Sequence, residues 1–468
     1  MFRKAGRILD SRGSNRLESK RLDLLPARGK GNAVRRNLFA LPAVVVATAL
    51  LLAGCGDSSG SNAQATAAPG PETGTITFTG TDNAETYQPV IKAFEAKNPG
   101  IKVTYTQIPF DQFNATMQQR LSAKDAGIDV YTVDEPRVSQ LAAKGFLTDL
   151  SDLDAKAKTS FSATAYKTNR FRDKLWSLPM WNSTQFLFYN KTALAKAKVT
   201  PPTADPEQRW TWEQVEAAGR KAMQSGGTKY GLFMEQPEAY YQLQPLAESL
   251  GGGSGIEGDD ALTPAVETDG WKKAMQWYGA TFASGLSPRG IGGFQTGPVF
   301  AAGDVAFFVG GPWDLKIFGS SKVDWGVAPM PYFQGGKPVT PTGSWSLGIN
   351  PASKQQGMAR KFVEFAALDL AGNLATTSTT TIIPANLEAQ KQYTPQMDKF
   401  SGAKTAGAAA ITTYESEHTA VSRPVSVGYI QFEEVMGKAF ADIRNGTDPN
   451  TRLQEATRQL TDAWKSIK

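Results

Sequence analysis

GTITFTGTDNAETYQPVIKAFEAKNPGIKVTY, residues 74–105, is the stretch whose pattern decides the fold. Residues 76–79 (ITFT) are rich in β-branched and aromatic side chains and predict a strand. Tyr87, Ile91 and Phe94 then recur at spacings of four and three, which places them on one face of a helix ending near Asn98-Pro99-Gly100. Residues 102–105 (KVTY) predict the next strand, so the stretch forms a right-handed βαβ unit. A second helix is expected from about residue 112 to 124, followed by a strand over 129–133 that runs into Asp134-Glu135-Pro136. Ligands of open parallel sheets sit beyond the carboxyl ends of the strands. Thr81, Asp82, Asn83, Asp134 and Glu135 therefore fall at an expected ligand edge.

Upstream, residues 38–55 (LFALPAVVVATALLLAGC) form an apolar run closed by Leu52-Ala53-Gly54-Cys55. The run is shorter than the ~20 residues of a bilayer span. It predicts a signal sequence with a lipobox, residues 1–54, cleaved before Cys55, whose thiol takes the lipid. Arg35-Arg36 within the basic leader is similar to a twin-arginine export signal, and translation from near Val34 is the alternative start. Residues 55–74 are polar and Gly/Ser/Ala-rich, a flexible tether. One acyl chain holds a membrane only marginally, so stable anchoring implies two or more on Cys55.

The leader also distorts the charge balance. The whole chain has 50 Lys+Arg against 44 Asp+Glu; residues 1–54 hold 11 against 3, which leaves 39 against 41. The apparent basicity thus belongs to the leader, and nucleic acid is excluded as an expected partner. With Cys55 as the only cysteine, the remainder must be stable without disulfides, and it is long enough for two cores of ~200 residues.

Downstream, Thr211 and Gln214 make a capping box for a helix to about Ser225. Trp271, Met275, Tyr278 and Phe282 stripe another helix, read as core. Residues 305–309 (VAFFV) are uniformly apolar, as in a strand covered on both faces. Gly310-Gly311-Pro312-Trp313 turns that strand into the next helix and turns Trp313 toward whatever binds there.

FEAKNPGIKVTY (94–105), DVYTVDEPRVSQLAAKGFLTDLSDL (129–153) and WSLPMWNSTQFLFYNKTAL (176–194) follow one another in the order of a known family. WTWEQVEAAGRKAM (210–223), FAAGDVAFFVGGPWDL (300–315), WGVAPMPYFQGGKPVTPTGSWSLGIN (325–350) and the helical tail from Arg423 continue the match. Together they resemble the extracellular solute-binding proteins of ABC importers, the sugar-binding family that includes maltose-binding protein. The resemblance implies an α/β, two-lobed periplasmic-binding-protein-like fold, each lobe a mainly parallel sheet flanked by helices, with a hinge between. It places lobe 1 at 75–180 and 344–403, and lobe 2 at 181–343 and 404–468. Crossings are expected at Pro179-Met180-Trp181, at Thr342-Gly343-Ser344 and within residues 403–410. It further implies a monomer without enzymatic activity. Such a protein sits on the outer face of the cytoplasmic membrane, takes up a mono- or oligosaccharide and hands it to ABC permease subunits.

A pyranose offers C–H faces to aromatic rings and paired hydroxyls to polar groups. Trp181, Trp313, Trp345 and Tyr429 fall at expected cleft positions, with Asp82, Asp134, Glu135, Glu235 and Arg423 as polar partners. A binder of a polyamine, peptide or phosphorylated polyol, a secreted glycoside hydrolase and a tethered lectin are the competing readings. Adjacent residues of an extended chain point to opposite sides, so Asp134 and Glu135 cannot together flank a scissile bond. Gly253-Ser254-Gly255-Ile256-Glu257-Gly258 matches a dinucleotide fingerprint by letters, but no strand precedes it. There is no G-x-x-x-x-G-K-[ST] motif, and His418 is the only histidine, so neither a cofactor nor a metal is expected.

Overall fold

The computed structural model of the chain describes residues 73–293 and 295–467. The expected leader, Cys55 and all but the end of the tether lie outside the described residues. Strand β1 (Gly74–Gly80) buries Ile76 and Phe78. Asn83 then caps helix α1 (Ala84–Lys97), its side chain accepting from the Thr86 N–H, and the helix buries Tyr87, Val90, Ile91 and Phe94. Strand β2 (Ile101–Gln107) returns parallel to β1 in a register running from Gly74↔Ile101 to Gly80↔Gln107. Helix α2 (Phe110–Ser122) starts and stops two residues earlier than its pattern predicts, and Phe113, Met117 and Leu121 anchor it. Strand β3 (Val130–Asp134) joins the other edge of β1.

The chain continues through β4 (Leu178–Pro179) and β5 (Phe186–Asn190) to helix α3 (Trp212–Lys221), which opens with the Thr211–Gln214 capping box. Strand β6 (Tyr230–Met234), helices α4 (Tyr240–Ser249) and α5 (Asp269–Ala283), and strands β7 (Val305–Gly310), β8 (Trp325–Pro329) and β9 (Trp345–Ile349) follow. Helix α6 (Tyr429–Arg444) leads into the C-terminal helix Pro449–Trp464.

These strands make two sheets, β2-β1-β3-β9-β4 and β8-β5-β7-β6, each with its own apolar cores. The molecule is therefore two-lobed and α/β. Each sheet is mainly parallel with one reversed strand: β2, β1, β3 and β4 share a direction in the first sheet, and β8, β7 and β6 share one in the second. β9 runs antiparallel to β3 and β4, and β5 runs antiparallel to β7 and β8. The reason is topological: β5 and β9 enter their sheets directly from a crossing and run away from it, whereas β3 and β7 run toward it.

Near the end of the first lobe's second segment the buried side chains divide between the cores. Ile382 and Ala385 pack into the first lobe's core, but Ile383, Tyr393, Met397, Ala408 and Ile411 already belong to a core of the second. The chain changes lobes at residues 382–385, about twenty residues before the expected place. The Gly/Ala-rich run at 403–410 instead starts a helix, with Gly407 (φ +88°) preceding Ala408–Tyr414.

Within the second lobe, Phe188 is fully buried, and its ring centroid lies 5.2–6.3 Å from those of Phe318, Trp325, Phe308 and Phe300. Truncating such a ring removes transfer energy and leaves a cavity. Phe188→Ala is expected to lower stability by about 3–5 kcal/mol, read as an earlier unfolding transition of the second lobe in urea. A loss below about 1 kcal/mol would contradict this packing.

Candidate functional site

Residues at the ends of strands in both lobes converge on a cavity of about 270 Å³. From the first lobe come Asp134, at the end of β3, and Trp345, the first residue of β9, which stand opposite each other in the antiparallel register. Edge contacts with Phe110 (6.0 Å) and Phe113 (5.8 Å) hold the Trp345 indole. From the second lobe comes Trp313, carried past the end of β7 by Gly310-Gly311-Pro312, its indole N–H donating to Glu235 Oε1 at 2.7 Å. Ser183 and Gly343, from two crossings, complete the floor, with the Ser183 hydroxyl donating to the Gly343 carbonyl at 2.5 Å.

Between the aromatic walls lies a network of charges drawn from both lobes. Arg423 grips Asp134 bidentately, Nη1–Oδ2 at 2.9 Å and Nη2–Oδ1 at 2.5 Å. Its guanidinium lies 5.4 Å from the ring centroid of Tyr241, and Nη1 is 3.7 Å from Glu433 Oε1. Arg137, one helical turn after Asp134, pairs with Glu433 and stands 3.5 Å from Asp134. Two carboxylates thus face two guanidiniums, all of them at least three-quarters buried.

Asp134, Trp313, Trp345 and Arg423 line the cavity together. The other predicted contacts do not. Trp181 is 1% exposed and stacks on Tyr87 at 5.5 Å inside the first core. Tyr429 is fully buried in the second lobe's core, its hydroxyl donating to Glu433 Oε1 at 3.1 Å. Asp82 accepts from Thr81 and Tyr87 in the loop after β1, where burial raises its pKa. Glu235 stands behind Trp313 and accepts from its indole N–H.

Glu135 turns inward, accepting from the Thr168 hydroxyl at 3.3 Å and from Ser346 at 3.5 Å. Burial pushes its carboxyl up to about 7, against the lowering effects of the Ser344 backbone and the Arg423 charge. Sequence reasoning missed Arg137, Glu433, Tyr241 and Phe110. A signal existed for two of them: Arg137 lies i+3 from Asp134 across a Pro turn, and Glu433 lies i+4 from Tyr429 on a helix.

A larger hollow of about 910 Å³ opens on the opposite face of the crossing strands, lined by Asn182, Thr342, Leu387, Tyr414 and His418. Alternation along extended chain explains the division: Ser183 and Gly343 face the cavity, and their neighbours Asn182 and Thr342 face the hollow. No pair of tryptophans lines it. The smaller cavity is therefore the candidate site. Among the described residues no group of three or more His, Cys, Asp or Glu side chains has the geometry of a metal site, and no helix is long and apolar enough to cross a membrane.

Two sheets, three crossings and a cavity walled by both lobes define a two-lobed binding protein of the periplasmic type. Residues 79–370 match the family described as bacterial extracellular solute-binding protein, and the chain belongs to that family. It is 24% identical over 330 residues to the maltodextrin-binding protein MdxE of Bacillus subtilis, covering 68% of this chain and 76% of that one. It is 26% identical over 320 residues to a maltooligosaccharide ABC transporter solute-binding lipoprotein of Streptococcus pneumoniae, covering 67% and 72%. Its fold is similar to that of the substrate-binding protein Lmo0181 of Listeria monocytogenes, solved with cycloalternan (TM-score 0.73, 21% identity, 84% of this chain and 99% of that one). The GacH receptor of Streptomyces glaucescens is also similar (TM-score 0.70, 23% identity, 84% and 98%).

The buried Glu135 carboxyl makes stability depend on pH. It keeps its proton to about pH 7 when folded but only to about 4.5 when unfolded. Its contribution is therefore complete below pH 4.5 and is lost as pH rises through 7. Relative to wild type, Glu135→Gln should gain about 3 kcal/mol between pH 4.5 and pH 8. Paired urea titrations at the two pH values measure this, and an unchanged difference would refute the assignment.

Proposed function

We propose that the protein captures a neutral mono- or oligosaccharide outside the cell, closes its lobes over it and delivers it to the permease of an ABC importer. The observation that carries this reading is the pair of indoles, Trp313 and Trp345, lining one cavity from different lobes with a charge-balanced polar floor between them. Stacking on indole supplies contact area to the C–H face of a sugar ring, while Asp134, Ser183 and the arginines offer acceptors and donors for its hydroxyls. A polyamine would call for unpaired carboxylates and a phosphorylated polyol for unpaired cations; here each is matched. The sugars in the names of the curated relatives, maltodextrin, maltooligosaccharide and galactooligosaccharide, support the same class.

We read the protein as a binder that does no chemistry. The three cavity carboxylates, Asp134, Glu238 and Glu433, are each engaged by an arginine, an arrangement that suits holding hydroxyls rather than protonating a leaving group. Closure would turn on the crossings near Met180–Ser183, Thr342–Ser344 and residues 382–385, and the protein would act as a monomer. Lipidated Cys55 would tether it to the outer face of the cytoplasmic membrane through the polar segment that follows, consistent with the lipoprotein designation of the pneumococcal relative.

A thermal-shift panel tests the ligand class: maltotriose, galacto-oligosaccharides, monosaccharides, polyamines and phosphorylated polyols. A sugar at 100 dissociation constants stabilises the folded state by about 2.7 kcal/mol, and the resulting rise in Tm should vanish in Trp345→Ala. A rise with polyamines or phosphorylated polyols alone would overturn the reading. Cells fed radiolabelled palmitate should label the wild-type chain and leave Cys55→Ala unlabelled; equal labelling would remove the anchor from the proposal.

A further inference from the structure

Behind Trp313 stand two carboxyl groups that sugar capture leaves without a role. Glu235 follows β6, and its backbone N–H donates to the Val309 carbonyl at 2.9 Å, which sets it beside the end of β7. It is 5% exposed. One carboxyl oxygen, Oε1, accepts from the Trp313 indole N–H at 2.7 Å, while the other, Oε2, is buried with no bond of comparable geometry, the Gln236 side chain making a weaker contact to the carboxyl. Asp314, next in the chain to Trp313, is 3% exposed, and its Oδ2 accepts from the Gly311 N–H at 3.1 Å.

Among the described residues neither acid forms an ion pair. The titratable groups facing Glu235 are Asp314 and, from α4, Tyr241, whose hydroxyl shares a 2.7 Å hydrogen bond with that of Ser183. Thr296 donates to the Glu235 backbone carbonyl at 2.8 Å. Two buried carboxyls without a cation cannot both ionise at neutral pH. Burial is the main cause for both: it raises Glu235 to about 7 and lifts Asp314 well above the usual carboxyl range, and the neighbouring Glu235 adds to the shift of Asp314. Ionisation of either carboxyl therefore opposes ionisation of the other. A buried carboxyl with one weakly held oxygen is a costly way to support a core. Its one strong bond ends on a partly exposed indole that walls the cavity.

We propose that Glu235 is the positioning residue for the aromatic platform: through its hydrogen bond to the indole it fixes the Trp313 ring plane in the cleft. As Glu235 ionises, its bond to the indole becomes charge-assisted and stronger. The platform thus stiffens as pH rises through neutrality. The ligand part of this inference rests on the sugar-capture reading, and the indole part does not.

The test is ¹⁵N NMR of tryptophan-labelled full-length protein, with the Trp313 indole assigned by its loss in Trp313→Phe. In wild type this N–H should exchange slowly with water and its shift should titrate with a midpoint near 7. Glu235→Ala should speed its exchange by about tenfold or more and abolish the titration. Glu235→Gln, which still offers an acceptor, should restore slow exchange without the titration. If Glu235→Ala fails to fold, the Gln variant alone decides through the presence or absence of the titration. A Trp313 resonance indifferent to both substitutions would overturn the proposal. Maltotriose titrations separate the two readings. Where wild type binds it, Glu235→Ala should weaken binding by about tenfold and Glu235→Gln by less than about threefold. Where wild type does not bind maltotriose, the sugar reading is what suffers, and the NMR result still decides the role of Glu235.

Discussion

The bidentate bond between Asp134 and Arg423 joins residues 289 positions apart and belonging to different lobes. Everything at the cleft is arranged around it. Bringing two such charges out of water costs several kcal/mol per ion, and their attraction offsets that cost only if the remaining donors and acceptors are also met. Here Arg137 and Glu433 supply the second pair, and the Tyr241 ring covers the guanidinium of Arg423. The neutral contacts nearby are of the same cross-lobe kind: Ser139 donates to the Ser426 carbonyl at 2.8 Å, and Gln140 accepts from the Ile430 N–H at 3.1 Å. The lobes are thus held at this edge by polar, exchangeable bonds, with the Trp313 indole as an apolar contact on the first lobe's core.

Such an edge suits a protein that opens. Apolar contact is non-directional and grows with area, so a large greasy interface between lobes would resist parting in water. Ion pairs and hydrogen bonds can be traded for water or for ligand hydroxyls at small net cost. The same groups that clasp the lobes are the ones that a sugar would engage, so capture and closure draw on one set of donors and acceptors.

The aromatic walls rest on a different principle. Trp345 gets its position from strand register, opposite Asp134, and from two phenylalanines that pack against it edge-on. Trp313 packs against the first lobe's core and is also tied by a hydrogen bond to a buried acid. Both platforms pack on the first lobe's core, and the hydrogen bond to an acid opens Trp313 to tuning by protonation. Glu135 shows the accompanying cost: a buried acid near a crossing lowers stability at neutral pH.

Local pattern in the sequence was enough for the βαβ start, the Asn98 stop, the Thr211 capping box and the fully covered strand 305–309, because each depends on neighbours within a few residues. Family resemblance extended this to two lobes and to Trp313, Trp345, Asp134 and Arg423. Tryptophan, however, has the same composition signal in a core as in a cleft, and only packing decided that Trp181 stacks on Tyr87 inside the first lobe. The crossing at 382–385 was hidden for a similar reason: Ile382 and Ile383 are identical as letters and enter different cores because alternate side chains of an extended chain point opposite ways. The pairing of Arg137 with Glu433 spans 296 residues. Periodicity reports which side of an element is apolar, but which distant charge meets which is set when the two sheets take their places, and that was decided by the tertiary structure alone.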